Sequence, residues 1–589
     1  MPEGLDFSNK QFKDALNIVE RTRNSLFFTG KAGTGKSTFL RYIDKTTKKK
    51  HIILAPTGIA AINVGGQTLH SFFKIPFHPL LPNDVQYNAR NIRGTLKYSS
   101  EKIKLIRELE LIIIDEISMV RADIIDFIDK VLRVYSLNMR QPFGGKQLLL
   151  VGDVYQLEPV LKDDDRKLLQ PFYTSGYFFA AHVWRQMQLI SIELKKVYRQ
   201  TDTEFISILD RIRESKVLEA DIRAINDRVC AAPEKQEGSE SMSITLSTRR
   251  DTVDYINQQK LAGLAGDISV YNGRITGDFP ESMLPTLMEL ELKPGAQIIF
   301  IKNDQNKRWV NGTLGIITGM DDEEGKLYVH TEAGEDLDVE QAQWSNVRYT
   351  FNEKEKKVEE EELGTFTQYP IRLAWAITVH KSQGLTFNNV NIDLTGGAFA
   401  GGQTYVALSR CRSLEGITLK EPLRQRDIFV RDDVKLFARQ YNDQKAIDTA
   451  LRQSQADIEY AEAIGCFDCG DYQGALDHFF VAIHQRYDIE KPAPRRLIRK
   501  KLSKITLLEQ EICRLHNEME MQMKKYEEKN EFLKELAVEY VIMGRECEKE
   551  HLPSAAISNY EKALRLCPEY PDAVKRLEKL KSRMKQSKK

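Results

Sequence analysis

Eight residues constrain this chain more than any others: Gly30-Lys31-Ala32-Gly33-Thr34-Gly35-Lys36-Ser37. They fit the pattern G-x-x-x-x-G-K-S, whose glycines let successive backbone N–H groups turn inward around phosphate oxygens. The pattern works only between a buried strand and a helix. Apolar Leu26-Phe27-Phe28 precedes it, and Thr38-Phe39-Leu40-Arg41-Tyr42 reads as the first turns of a helix. The helix N-terminus adds partial positive charge. Gly30, Ala32, Gly33, Thr34, Gly35 and Thr38 are therefore candidate nucleotide contacts. Lys36 is placed to reach the β- and γ-phosphates, and Ser37 to ligate Mg²⁺. Such a loop says "nucleotide" and nothing about what the nucleotide is for.

The next segments repeat the strand–turn–helix logic of a doubly wound parallel sheet. His51-Ile52-Ile53-Leu54-Ala55 is a buried strand, broken by Pro56-Thr57-Gly58 before a helix. Thr68-Leu69-His70-Ser71-Phe72-Phe73 places hydroxyls beside aromatics. That mixture suits single-stranded nucleic acid, with hydroxyls on phosphates and rings on bases; Phe72 and Phe73 packed into a core is the alternative. Leu111-Ile112-Ile113-Ile114 ends in Asp115-Glu116. Asp115 is the candidate Mg²⁺ carboxylate and Glu116 the group that polarises the attacking water. A third strand, Gln147 to Val151, runs on to Gln156, which can sense the γ-phosphate. Gln11 lies upstream of the loop, where similar ATPases place a glutamine that reads the adenine edge; an exposed helix residue is the alternative. Residues 76–100 are rich in proline and asparagine and read as a small inserted wedge or long loop.

These blocks, in this order, resemble the first motor domain of a superfamily-one helicase, closest to the Pif (petite integration frequency) family with RecD-like relatives. Phe178-Phe179 to Trp184 resembles the start of a second motor domain, and Glu193-Leu194-Lys195-Lys196-Val197-Tyr198-Arg199-Gln200 resembles motif IV. Thr378-Val379-His380-Lys381-Ser382-Gln383-Gly384 resembles motif V, and Tyr405-Val406-Ala407-Leu408-Ser409-Arg410-Cys411-Arg412 motif VI. The resemblance covers about residues 1–435. It implies two RecA-like P-loop NTPase domains, residues 1–170 and then 171–257 with 361–435, interrupted by an SH3-like β-barrel at 258–360. It implies ATP and Mg²⁺ in a cleft between them. Arg199 and Arg410 would supply cations to the γ-phosphate, with Gln383 and Gly384 beside the nucleotide. Pro56, Thr57, Gly58, Thr68, His70, Phe72, Thr378, His380, Lys381 and Ser382 would meet DNA. The implied activity is ATP-dependent, 5′-to-3′ unwinding of forked or tailed duplexes, with G-quadruplexes included, in genome maintenance. Rival readings are an RNA or mixed helicase, and an interaction scaffold with a regulatory ATPase.

Arg308 and Trp309 in the insertion face nucleic acid or form core, and 353–362 reads as a solvated acidic linker. Beyond about residue 440 the pattern becomes all-helical. Two tetratricopeptide-like hairpins, at 457–488 and 537–568, flank one long amphipathic helix with coiled-coil spacing. This tail is a candidate protein-binding region. Cys466 and Cys469 form a single CxxC within a helical pattern, lacking the second pair a zinc site wants. With 86 basic and 85 acidic residues, any nucleic-acid surface must be local. The absence of a signal-peptide pattern or membrane-length apolar run, with seven cysteines, points to the cytoplasm (the nucleoid, in a bacterium).

Overall fold

A computed structural model describes residues 8–586, apart from 77, 160, 199–201, 230–241, 305, 353, 356, 396, 398–400 and 488–491. It forms two compact units, residues 1–485 and 486–589. Among the described residues no helix is long and apolar enough to cross a membrane.

The first unit begins with a six-stranded parallel sheet: β1 (Leu26–Gly30), β2 (His51–Ala55), β3 (Gln67–Thr68), β4 (Leu111–Ile114), β5 (Gln147–Val151) and β6 (Ile190–Leu194), in the order 3-2-4-5-1-6. Helices cover both faces, so β1, β4 and β5 are buried throughout and read as unbroken apolar runs. The period of two then divides one strand between two cores. Phe27, Ile112, Ile114, Leu148 and Leu150 join one, and Leu26, Phe28, Ile113 and Leu149 the other. On the second face lie α1 (Lys10–Arg21) and α2 (Lys36–Thr46), where Phe39 stacks on Phe28 at 4.1 Å between ring centroids.

The domain boundary expected at residue 170 is corrected. Phe178 and Val183 are buried in the first core, and β6 pairs with β1 along its whole length. The segment resembling the start of a second motor domain therefore completes the first. Residues 80–98 close over that core through Leu80, Tyr87, Ile92, Leu96 and Tyr98.

A second parallel sheet follows, ordered Ala376–Thr378, Ile244–Ser247, Val390–Asp393, Ile417–Leu419. Between its strands sit antiparallel sheets. Five strands run in the order Asp336–Val339, Lys326–Thr331, Leu314–Asp321, Gln297–Phe300, Ile371–Leu373, so the insertion extends past residue 360. Trp309 is 6% exposed and stacks on Phe300 at 4.5 Å, which makes it core. Arg308 is held by Asp304 and Asp338.

The acidic stretch assigned to a linker is instead one arm of a long hairpin, Ala342–Asn352 with Lys357–Gln368. Its glutamates lie on a strand whose partner carries Arg348, which pairs with Glu361. Tyr349, 5% exposed, inserts toward β2, where its hydroxyl accepts from the Ile53 N–H at 3.3 Å.

The helical region begins near residue 440 as expected, but its first hairpin starts well before the expected residue 457. Helix Gln444–Cys469 packs on α1: Lys10 Nζ donates to Gln444 Oε1 at 2.8 Å, and Ile447 and Ala450 share a core with Phe12. It turns at Gly470 (φ 87°) into Tyr472–Gln485. The second unit holds Pro492–Lys549, a 58-residue helix, followed by Pro553–Leu566 and Pro571–Gln586. Tyr560 fills a notch left by Gly544, where a Cβ would lie 2.6 Å from the ring. Ala537, Val541, Ala556 and Ala563 pack around it.

Candidate active site

The loop after β1 bends through Gly33 (φ 76°) and Gly35 (φ 95°), left-handed conformations that L side chains resist by about 1–2 kcal/mol. Lys36 curls back so that its ammonium donates to the Gly30 carbonyl at 2.6 Å and the Lys31 carbonyl at 3.0 Å. It thus hangs over the loop that would cradle phosphates. Ser37 and Thr38 are exposed at the start of α2.

Strand order brings further chemistry to this loop, because β5 adjoins β1 and β4 adjoins β5. At the end of β4, the Asp115 N–H is held by the Leu54 carbonyl at 2.9 Å. Glu116 sits at φ 48°, ψ 45°, a strained backbone costing roughly 1–3 kcal/mol. Burial raises the pKa of both carboxyls; Asp115 raises Glu116 further, against the pull of Lys36 and Arg410. Two recessed carboxylates with incomplete compensation suit a divalent cation. Among the described residues no group of three or more His, Cys, Asp or Glu forms a metal cage. Ser37 and Asp115 are thus a donor set of the kind that Mg²⁺ completes with substrate phosphates and water.

After β5, the Gln156 N–H donates to the Asp153 carbonyl at 3.0 Å, and Gln156 is 7% exposed. The second sheet meets it there. Gln383 Nε2 approaches Gln156 Oε1 at 3.4 Å. Gly402, at φ 81°, lies so close that a Cβ would be 2.2 Å from the Gln156 carbonyl oxygen. The Tyr405 hydroxyl accepts from the Ala32 N–H, in the phosphate loop itself, at 3.3 Å.

Arg410 is 1% exposed and lines the same space. It donates to the carbonyls of Val406, Ser382 and Leu385 at 3.0–3.3 Å and to Ser409 Oγ at 2.9 Å. The result is one cleft of about 700 Å³, lined by the loop, Asp115, Glu116 and Gln156 from one sheet and by Gly384, Arg410 and Arg412 from the other.

The expected residues divide unevenly. Gln11 does not line the cleft; Asn9 and Phe12, on either side of it, do. Arg199 lies outside the described residues, but its neighbour Tyr198 lines the cleft, and the Tyr198 N–H donates to the Gly33 carbonyl at 2.9 Å. Pro56, Thr57 and Gly58 follow β2, where Thr57 caps a helix by accepting from the Ala60 N–H; Thr68 caps the next by accepting from the Ser71 N–H. Burial lowers the pKa of both His70 and His380. Thr378 is half-buried and Lys381 exposed.

Two nucleic-acid assignments are corrected. Phe72 is 1% exposed, edge-on to Phe73, with Lys102 Nζ 3.0 Å from its ring centroid; no face remains for a base. Ser382 is fully buried, its hydroxyl donating to the Val379 carbonyl at 2.8 Å.

Sequence reading overlooked Asn9, Phe12, Tyr405 and two arginines. Arg372 neighbours Lys381, and burial lowers its pKa to about 10; its Nε is buried without a hydrogen-bond partner. Arg213, from the second domain's helix Thr203–Arg213, is bonded to Asp153 at 3.0 Å and Glu193 at 2.8 Å and lies over the Tyr155 ring. Its pKa is held well above the ordinary value by those carboxylates against its burial.

Residues 7–223 match the model of the PIF1-like helicase family. The chain is 35% identical over 405 residues to the mouse ATP-dependent DNA helicase PIF1, a match covering 67% of this chain and 57% of the mouse protein. It thus spans little more than half the length of that relative. It is 31% identical to the Campylobacter jejuni ATP-dependent DNA helicase Pif1, covering 66% of this chain and 86% of the relative. The crystal structure of Bacteroides sp Pif1 with ADP-AlF4 matches at TM-score 0.67 and 39% identity, covering 74% of this chain and 97% of that one. The same helicase bound to single-stranded DNA matches at TM-score 0.54 and 39% identity, covering 75% and 98%.

Proposed function

The chain belongs to the PIF1-like helicase family, and on that premise we propose that it is an ATP-dependent DNA helicase. The observation that carries the reading is the split cleft: phosphate loop and carboxylates from one sheet, Arg410 and Gly384 from another. A site divided in this way is complete only when two domains close, which is how hydrolysis becomes movement. Lys36 and the loop amides bind the phosphates. Glu116 accepts the proton of the attacking water, and Arg410 with Arg199 balances charge as it develops on the γ-phosphate. Mg²⁺ held by Ser37 and Asp115 would neutralise phosphate charge.

Gln156 stands where the γ-phosphate and the second domain can both act on it, through Gln383 and Gly402. Loss of the phosphate therefore reaches motif V, whose far side carries Thr378, His380, Lys381 and, next to them, Arg372. Lys381 and Arg372 supply the positive charge, and with Thr378, His380 and the strand-end loops at Pro56-Thr57-Gly58 and Thr68 they grip the phosphates of single-stranded DNA; the mouse and Campylobacter relatives are DNA helicases by name, and Bacteroides Pif1 has been seen on single-stranded DNA. Tailed or forked duplex is the substrate and 5′-to-3′ the direction.

The test is strand displacement on 5′-tailed and 3′-tailed DNA, with matched RNA duplexes beside them. ATP-dependent unwinding of the 5′-tailed DNA alone is the expected result. Preference for RNA would move the assignment to an RNA helicase, and hydrolysis without displacement would favour a scaffold with a regulatory ATPase.

A further inference from the structure

The helix Pro492–Lys549 is longer than anything packed on it. Its own unit covers it only from Ala537, using Pro553–Leu566 and Pro571–Gln586. Before that point Leu508, Ile512, Leu515, Met519 and Tyr526 are 51% to 66% exposed. A helix that leaves a regular apolar stripe in water is stable only with a partner.

The stripe has a strict seven-residue repeat. Ile505, Ile512, Met519 and Tyr526 occupy one seam position, and Leu508 and Leu515 the other, with Gln522 following them. This is the 3.5-residue period of a left-handed coiled coil, and β-branched Ile at the first position with Leu at the second favours two parallel strands. The second position turns polar at Gln522 and Lys529, and polar seam residues fix register at some cost in stability.

Charge selects the orientation. In a parallel, in-register pair each flanking residue faces the opposite flank of the next heptad. Lys504 then meets Glu509 of the second copy. An antiparallel pair over the same layers would set Lys504 against Lys525 and Glu511 against Glu518, like against like. From Ile505 to Leu533 the seam runs about 42 Å at 1.5 Å per residue. The other helices described in this unit have 14 and 16 residues, too short to cover it, and are already engaged. A second copy of the same helix matches in length, repeat and charge.

We propose that the segment from Ile505 to about Leu533 is a homodimerisation element, a parallel two-stranded coiled coil that joins two copies of this chain. The basic run from Arg495 to Lys504 precedes the seam, so like charge stacks at that end and the coil starts only at Ile505.

The experiment is sedimentation velocity of the full chain across micromolar concentrations. Wild type is expected to pass from 67.7 kDa to twice that mass, and Ile512→Glu with Leu515→Glu to remain monomeric, its ATP hydrolysis serving as the check on folding. Lys504→Glu weakens the dimer, and Lys504→Glu with Glu509→Lys restores it. Met519→Cys forms an interchain disulfide under mild oxidation, since that position faces itself only in a parallel pair. A chain monomeric at all concentrations, a dimer indifferent to the two seam glutamates, or no recovery in the charge-exchanged pair would overturn the proposal.

Discussion

Gly402→Ala tests whether the two domains communicate through the sensor turn. A methyl group at this position would lie 2.2 Å from the Gln156 carbonyl oxygen and 2.4 Å from that of Tyr155. Both obstacles are backbone, so no rotamer change can relieve them. Ordinary Cβ contacts begin near 3.4 Å, and the second domain must withdraw by about 1 Å, a misplacement that costs roughly 10²-fold in rate at a catalytic centre. In barrier height that is about 2.7 kcal/mol. The left-handed φ of 81° adds about 1–2 kcal/mol of strain to the folded state. Nucleotide binding depends mainly on the first sheet and should change little. The assay is steady-state ATP hydrolysis with single-stranded DNA, alongside fluorescent-nucleotide binding and thermal melting. Gly401→Ala is the control, because its methyl group meets Phe429 at an ordinary 3.7 Å. Turnover of Gly402→Ala within about threefold of Gly401→Ala would refute the reasoning.

Arg213→Met leaves Asp153 with no exposed surface and no guanidinium, and should cost roughly 3–5 kcal/mol of stability by denaturant titration; an unchanged midpoint would contradict a buried bridge between domains. Phe72→Leu should lower stability by roughly 1 kcal/mol while leaving single-stranded DNA affinity within about threefold; a tenfold loss of affinity at wild-type stability would return Phe72 to base stacking. Glu116 acts as a base only when ionised, and burial and Asp115 raise its pKa. The acid limb of kcat/KM for ATP should therefore lie above the ordinary carboxylate range of about 4. Magnesium and phosphate-bound lysine favour the anion, so the limb of kcat should lie lower; coincident limbs near the ordinary value would count against Glu116.

Much of this site was legible because its parts are contiguous in sequence. A strand end, a glycine turn and a helix start occupy eight or ten consecutive residues, so Lys36, Asp115 and Gln156 could be placed from local pattern alone. Strand membership was harder. Ile190–Leu194 carries nothing local that says whether it pairs with β1 or opens a new sheet, since parallel partners are remote in sequence. The acidic hairpin arm was misread for a related reason. Glu359 to Glu362 run consecutively, without the apolar alternation of a strand, and the cross-strand partners that make it one lie on the other arm. Phe72 and Ser382 sit within segments whose residue pattern suggested nucleic-acid contact. Motif wording cannot separate the residue that faces the ligand from its neighbour turned inward. Arg213 gave no signal, because an arginine on a helix usually reads as solvated.

The central claim is that Arg410 reaches the γ-phosphate from a second domain and is not merely a buried hydrogen-bond donor. The direct measurement is single-turnover ATP hydrolysis by Arg410→Gln and Arg410→Lys with and without single-stranded DNA, next to nucleotide affinity and melting temperature. A group that neutralises transition-state charge predicts a loss on the order of 10³-fold or more in Arg410→Gln, with nucleotide bound nearly as well as by wild type. Ordinary DNA-stimulated turnover in that variant, with the fold intact, would contradict the account.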